Sequence, residues 1–191
     1  MKTKEIILFG LLFLIGASAT AQKKGKLGLM AGWNYATSSS KNLDTKSISA
    51  FYGGAVWEHK IVPSFRYYSG IIYNQAGYGV DEDNNLDKAK YSYLTVPLIA
   101  KVQILNFYAL GGLSSGIRTG GKYYFTDETE TKITTDNLKG YDFAAQFGLG
   151  FKIAIIGIEA KYNWGLTDIN NNSALKSIYN RYFQLGLLLK L

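Results

Sequence analysis

From Lys26 onward the chain has no long stretch with the 3.6-residue period of an amphipathic helix. Apolar and polar residues instead alternate, the period-2 sign of strands with one apolar face. Ile158, Ala160, Tyr162, Trp164 and Leu166 alternate with Glu159, Lys161, Asn163, Gly165 and Thr167. Phe143, Ala145, Phe147, Leu149, Phe151 and Ile153 alternate with Asp142, Ala144, Gln146, Gly148, Gly150 and Lys152. One face is apolar and aromatic, the other small or charged. The pattern predicts eight strands, at 26–36, 49–61, 65–78, 89–103, 107–119, 140–153, 158–169 and 178–191, separated by 12, 3, 10, 3, 20, 4 and 8 residues. Long and short links strictly alternate, as in an up-and-down antiparallel barrel with tight turns at one end and loops at the other. At about 3.3 Å per residue and a tilt near 40°, a strand of about 13 residues rises roughly 33 Å, enough to cross an apolar band and both its interfaces.

Which face is apolar decides between a membrane barrel and a soluble one. A soluble, lipocalin-like ligand-binding barrel would have to place Phe143, Phe147, Phe151, Tyr162, Trp164, Phe183 and several leucines in its lumen. An eight-stranded lumen is already filled by ordinary side chains. Aromatics outside and glycines inside fit better, and closure follows because a sheet edge in lipid would leave backbone N–H and C=O groups without partners. The expected fold is therefore all-β, an eight-stranded antiparallel up-and-down transmembrane β-barrel.

The first residues read as an export signal: Lys2 and Lys4, then an apolar run over residues 6–15, then Ala19-Thr20-Ala21 as a cleavage site. Ten apolar residues are too few for a bilayer-crossing helix, which needs about 20. Residues 1–21 are thus expected to be a cleaved signal peptide and 22–191 one outer-membrane barrel domain. The sequence has no Cys, which excludes disulfide scaffolds, thiolate metal sites and cysteine nucleophiles.

Tyr93-Leu94-Thr95-Val96-Pro97-Leu98-Ile99-Ala100-Lys101 resembles the Y-L-x-I/V-P-L-x-x-K strand of the outer-membrane protein β-barrel domain family, the porin-family proteins of Gram-negative bacteria. Ile71-Ile72-Tyr73-Asn74-Gln75-Ala76-Gly77 is similar to that family's L-x-Y-x-x-x-G strand, and Gly28-Leu29-Met30-Ala31-Gly32-Trp33-Asn34 to its glycine-rich first strand. The chain departs from the family at Gly70 and Thr95, where Glu is frequent, and at Leu191, where such barrels commonly end in an aromatic. The resemblance implies an integral protein of the outer membrane. Pro97 cannot donate to a ladder, which suggests a bulge or inward kink there.

Inward positions include Glu58, Lys60, Lys101, Arg118, Asp142, Lys152, Glu159, Lys161 and Lys190. Buried charges need pairing, so Glu58, Arg118, Asp142, Glu159 and Lys161 are the candidate lumen charge network. Trp33, Tyr35, Tyr73, Phe143, Trp164 and Tyr179 near the loop end, with Trp57 near the turn end, are the candidate interface aromatics. No catalytic, cofactor or metal site is expected. The single His59 falls on the face assigned to lipid, and no Gly-x-Ser-x-Gly elbow is present. The acidic loop Asp81-Glu82-Asp83-Asn84-Asn85-Leu86-Asp87 lacks the glycine and glutamate that a calcium loop of the EF-hand type requires.

The expected role is structural or interactional, with a side-chain-filled lumen and loops displayed outside. The alternatives are a small-solute pore or uptake barrel, and the soluble barrel above. Expected partners are outer-membrane lipid and lipopolysaccharide, with the insertion machinery during biogenesis; the termini would be periplasmic, and no residue names a surface partner. The net charge is +7, but the long connections hold nine acids and seven lysines, while Lys60, Arg66, Lys101, Lys152 and Lys190 gather at the turn end. That basic balance is not a nucleic-acid patch on an exposed face.

Overall fold

The computed structural model describes residues 25–39, 45–80, 86–125, 129–132, 138–171 and 177–191. The expected leader at 1–21 and the acidic residues 81–85 lie outside them. Among the described residues, eight long strands form the wall: β1 (Lys26–Ser39), β3 (Ile48–Val62), β4 (Phe65–Val80), β5 (Leu86–Ile104), β6 (Phe107–Phe125), β8 (Tyr141–Ile153), β9 (Ile156–Gly165) and β10 (Tyr179–Lys190). Two short strands, β2 (Thr45–Lys46) and β7 (Glu130–Lys132), extend the hairpins at the loop end. Each long strand pairs antiparallel with the next, and the ring closes where β1 meets β10 from Gly28↔Lys190 to Ser39↔Tyr179. With neither terminal strand left as an edge, the ladder satisfies the backbone groups that lipid could not.

The wall obeys the period of two. On β10, Asn180, Tyr182, Gln184, Gly186, Leu188 and Lys190 are buried inward, while Phe183, Leu185 and Leu187 are exposed outward. Leu29, Phe51, Ile71, Leu94, Phe147, Leu149 and Ile158 are likewise exposed on the outer face. An apolar exterior around a polar interior is the inverse of a soluble barrel, and the lipocalin-like alternative falls on it.

The strands meet in tight turns at one end. Turn carbonyls find donors on neighbouring strands: Gln103 N–H donates to Ser64 O at 2.8 Å, Lys152 N–H to Asn106 O at 2.7 Å and Lys190 N–H to Ile155 O at 2.9 Å. Leu105 and Ala154 open two of these turns at φ 55° and 51°, in the left-handed region. Pro97 makes no bulge. Pairing of β4 with β5 holds one register from Ser69↔Leu98 to Ile72↔Thr95 and skips Gly70 and Ile71, while Pro97 still faces Ser114 of β6. A locally interrupted ladder absorbs the missing N–H without displacing the strand. The registers shift instead between Ser92 and Tyr93, where Thr119 of β6 is the extra residue.

The expected strand bounds shift most at the loop end, where β6 runs on to Phe125, six residues past the expected 119. β9 ends at Gly165, four residues short of the expected 169, and the chain then folds over the barrel mouth with Ile169 fully buried and Leu138 bridged to Asn170. Glycines of the inner face make room for tyrosines. A Cβ on Gly150 would come within 2.2 Å of the Tyr108 ring and one on Gly157 within 2.7 Å of its hydroxyl. Gly150→Val should therefore lower barrel stability by about 1–3 kcal/mol, read as the urea midpoint of the folded, fast-migrating form on unboiled gels. Ala154→Val should also lower it, by about 1–2 kcal/mol, because a β-branched side chain resists positive φ.

Candidate functional site

The lumen is the site, and it is built in layers. Nearest the turns, strand direction and alternation aim Glu58 (β3), Arg66 (β4), Lys101 (β5), Glu159 and Lys161 (β9) and Lys190 (β10) at one another. Lys101 is fully buried, and its Nζ lies 3.1 Å from Glu58 Oε2 and 3.0 Å from Glu159 Oε1, bridging three separated strands. Lys190 Nζ sits 2.6 Å and the Arg66 guanidinium 3.1 Å from Glu58 Oε1; Lys161 Nζ lies 3.5 Å from Glu159 Oε2.

Four cations thus face two carboxylates, and tyrosines supply the remaining compensation. Tyr108 donates its hydroxyl to Glu159 Oε1 at 3.1 Å and presents its ring face to Lys101 Nζ, 4.2 Å from the centroid. Tyr68 donates to Glu159 Oε2 at 3.4 Å and accepts from Lys161 Nζ at 3.4 Å, while Tyr52 holds Lys161 at 5.4 Å from its ring centroid. Ring faces carry partial negative charge, so they add to the stabilisation of Lys101 and Lys161, whose carboxylate partners are shared among four cations.

Above this cluster an amide layer crosses the barrel. Gln184 Nε2 donates to Asn34 Oδ1 at 2.9 Å, Asn34 Nδ2 to Asn74 Oδ1 at 2.8 Å, Asn74 Nδ2 to the Tyr182 hydroxyl at 2.8 Å and Asn163 Nδ2 to Gln184 Oε1 at 2.9 Å. Next comes Asp142, whose Oδ2 accepts from Asn180 Nδ2 at 2.7 Å. An apolar cap of Ala36, Tyr78, Tyr91, Leu138, Ile169 and Ile178 closes the loop end. Between the amide layer and Asp142 remains a cavity of about 10 Å³ bordered by Asn74, Tyr93, Thr95, Ser114 and Tyr182, roughly the space one water needs.

Of the candidate network, Glu58, Glu159 and Lys161 come together; Asp142 and Arg118 do not join them. Arg118 stands opposite Tyr93, ten residues along β6 from Tyr108, which reaches Glu159; at about 3.3 Å per residue that is most of the barrel height. Lys101 and Lys190, recognised only as inward cations, complete the cluster in their place. Lys101 could have been found by asking which inward cation lies level with both glutamates. Lys60, expected inward, is exposed at the turn rim. His59 stacks on Tyr67, with ring centroids 5.1 Å apart, and does not face the lumen cluster. On the outer wall Trp33, Tyr35, Trp57 and Trp164 are exposed, and Tyr73, Phe143 and Tyr179 half-buried. Arg181 lies 5.5 Å from the Trp164 ring centroid.

The cap is held by Asp168, beyond the end of β9. Its Oδ1 accepts from the N–H of Ile178 at 2.8 Å and of Asn170 at 3.0 Å, and Lys139 Nζ donates to its carbonyl at 2.8 Å. Partial burial alone would raise the Asp168 pKa, but these backbone donors and Lys139 outweigh it and hold the carboxyl below its ordinary value of 3.8.

A closed antiparallel barrel of eight strands, apolar outside and internally packed with paired charges, is the architecture of a small membrane-spanning barrel protein. The chain belongs to the outer membrane protein beta-barrel domain family, which matches residues 20–171. Its fold is similar to that of Neisserial surface protein A, NspA (12% identity, TM-score 0.62, covering 88% of this chain and 100% of that one). It is also similar to Ail, the attachment invasion locus protein of Yersinia pestis (15% identity, TM-score 0.53, covering 88% and 100%). No curated protein matches the chain.

Two outcomes test the site. Lys101→Met removes the bridging cation from between two buried carboxylates and should cost about 3–5 kcal/mol of unfolding free energy, measured by urea titration of the folded barrel in detergent micelles. Because the Asp168 carboxyl is held below its ordinary value, its clasp is fully made above that value and is lost as pH falls through the lowered one. Hydrogen exchange at the Ile178 and Asn170 amides, corrected for its intrinsic pH dependence, should stay protected at neutral pH and accelerate on acidification below the ordinary carboxylate range. The same amides should exchange fast at all pH values in Asp168→Ala.

Proposed function

We propose that the chain is a non-conducting scaffold of the outer membrane, whose rigid barrel displays its longer loops at the cell surface for structural or adhesive contacts. The observation that carries this reading is the filled lumen: among the described residues the Lys101 cluster, the amide layer and the apolar cap succeed one another along the axis. Residues 1–21 are removed on export in this reading, and both termini and the tight turns face the periplasm. Trp33, Tyr35, Tyr73, Phe143, Trp164 and Tyr179 lie at the outer interface and Trp57 at the inner one, where amphipathic rings are favoured. The barrel-insertion machinery would be met during biogenesis, and lipid and lipopolysaccharide afterwards. Glu58, Glu159 and Lys161, with Lys101 and Lys190, act as internal struts and not as a transport path. Purified protein reconstituted in a planar bilayer should show no steady openings of porin size; such openings would overturn the scaffold reading in favour of a solute pore.

A further inference from the structure

On the outer face of β4, β5 and β6, two adjacent strands change character at the same height. Along β4 the outward residues run Ile71, Tyr73, Gln75; along β5 they run Leu94, Ser92, Lys90, in register at Tyr73↔Leu94 and Gln75↔Ser92. Apolar side chains give way to hydroxyls and then to an amide and a cation. Beside them the wall is indented by a pocket of about 320 Å³ between Tyr73 and Tyr124, with Lys90 and Lys122 on its loop side. Sequence and register open it. Gly120 stands opposite Ser92, and a Cβ there would meet nothing within 4 Å. The bulge turns Thr119 so that its hydroxyl donates to Ser92 O at 3.3 Å.

The donors are pre-arranged. Gln75 Nε2 donates to the Tyr73 hydroxyl at 3.2 Å, and the Tyr73 and Ser92 hydroxyls share a 2.7 Å bond. Lys122 is paired with the solvent-exposed Glu130, a contact of the kind that exchanges easily. Lys90 has no carboxylate partner among the described residues.

We infer that this pocket binds the phosphorylated sugar headgroup of an outer-leaflet glycolipid. Lys90 and Lys122 take the phosphate as charge-assisted donors, Gln75 and Ser92 face the sugar, and an acyl chain runs down over Leu94 and Ile71. A soluble anion would use the lysines but not the apolar half. The inference rests on the loops-outside orientation proposed above.

Native mass spectrometry of the detergent-purified barrel, with diphosphoryl lipid A as probe, tests it. Lys90→Gln with Lys122→Gln should weaken retention about tenfold or more, and Lys90→Arg with Lys122→Arg should restore it. The same lipid stripped of phosphates should be held equally by wild type and variant. Equal retention of diphosphoryl lipid A by the wild type and the glutamine variant, in barrels of unchanged heat-modifiable mobility, overturns the site. So does full displacement of the lipid by equimolar inorganic phosphate. Protease added to intact cells tests the orientation separately. Protected loops overturn the orientation and this proposal with it, whereas accessible loops combined with equal retention overturn the headgroup site alone.

Discussion

Everything in this barrel depends on the pairing of β1 with β10. A lipid-facing wall can leave no backbone donor or acceptor open, so the first and last strands must find each other across nearly the whole chain before the remaining pairings gain their full value. Once they do, the circumference is set by eight strands and the interior has a definite, small cross-section. The rest of the molecule is a solution to filling that space with residues whose polarity is the reverse of a soluble core.

The filling uses two devices. Large tyrosines lie over glycines of neighbouring strands, as Tyr108 does over its cross-strand partner Gly150 and over Gly157 on β9, and Tyr52 over Gly186, where an added Cβ would fall 2.2 Å from the Tyr52 hydroxyl. Charges then meet in the gaps between rings. The excess of lysine over glutamate near the turns is tolerable because the hydroxyls of Tyr68 and Tyr108 serve the carboxylates while their ring faces serve the ammonium groups. Low dielectric strengthens such a network when every member is satisfied and makes any single deletion expensive.

The cap and the outer pocket show how the ends differ from the middle. At the loop end Asp168 organises an irregular segment by accepting two backbone N–H groups, and Leu138, Ile169 and Ile178 enter the barrel mouth as apolar residues whose neighbours in sequence are polar. At the same level the outer wall passes from aliphatic to hydroxyl-bearing to cationic side chains. Both features follow from leaving the apolar slab: once water can reach the backbone, strict alternation is no longer enforced.

The strand count, the alternation of turns and loops, and the apolar exterior were legible in the sequence because they rest on a local period of two and on link lengths. Glu58, Glu159 and Lys161 were legible as inward charges for the same reason. Their partners were not: parity assigns a face but no height, so Arg118 and Asp142 were grouped with residues most of a barrel height away, and Lys101 was passed over as the bridge. Pro97 illustrates the same limit, since its missing donor is a local fact while its accommodation as a gap in the ladder depends on β4. The sequence by itself determined which residues face lipid and which face inward. Only the closed tertiary structure, through shear and register, decided which inward residues share a layer and therefore which charges meet.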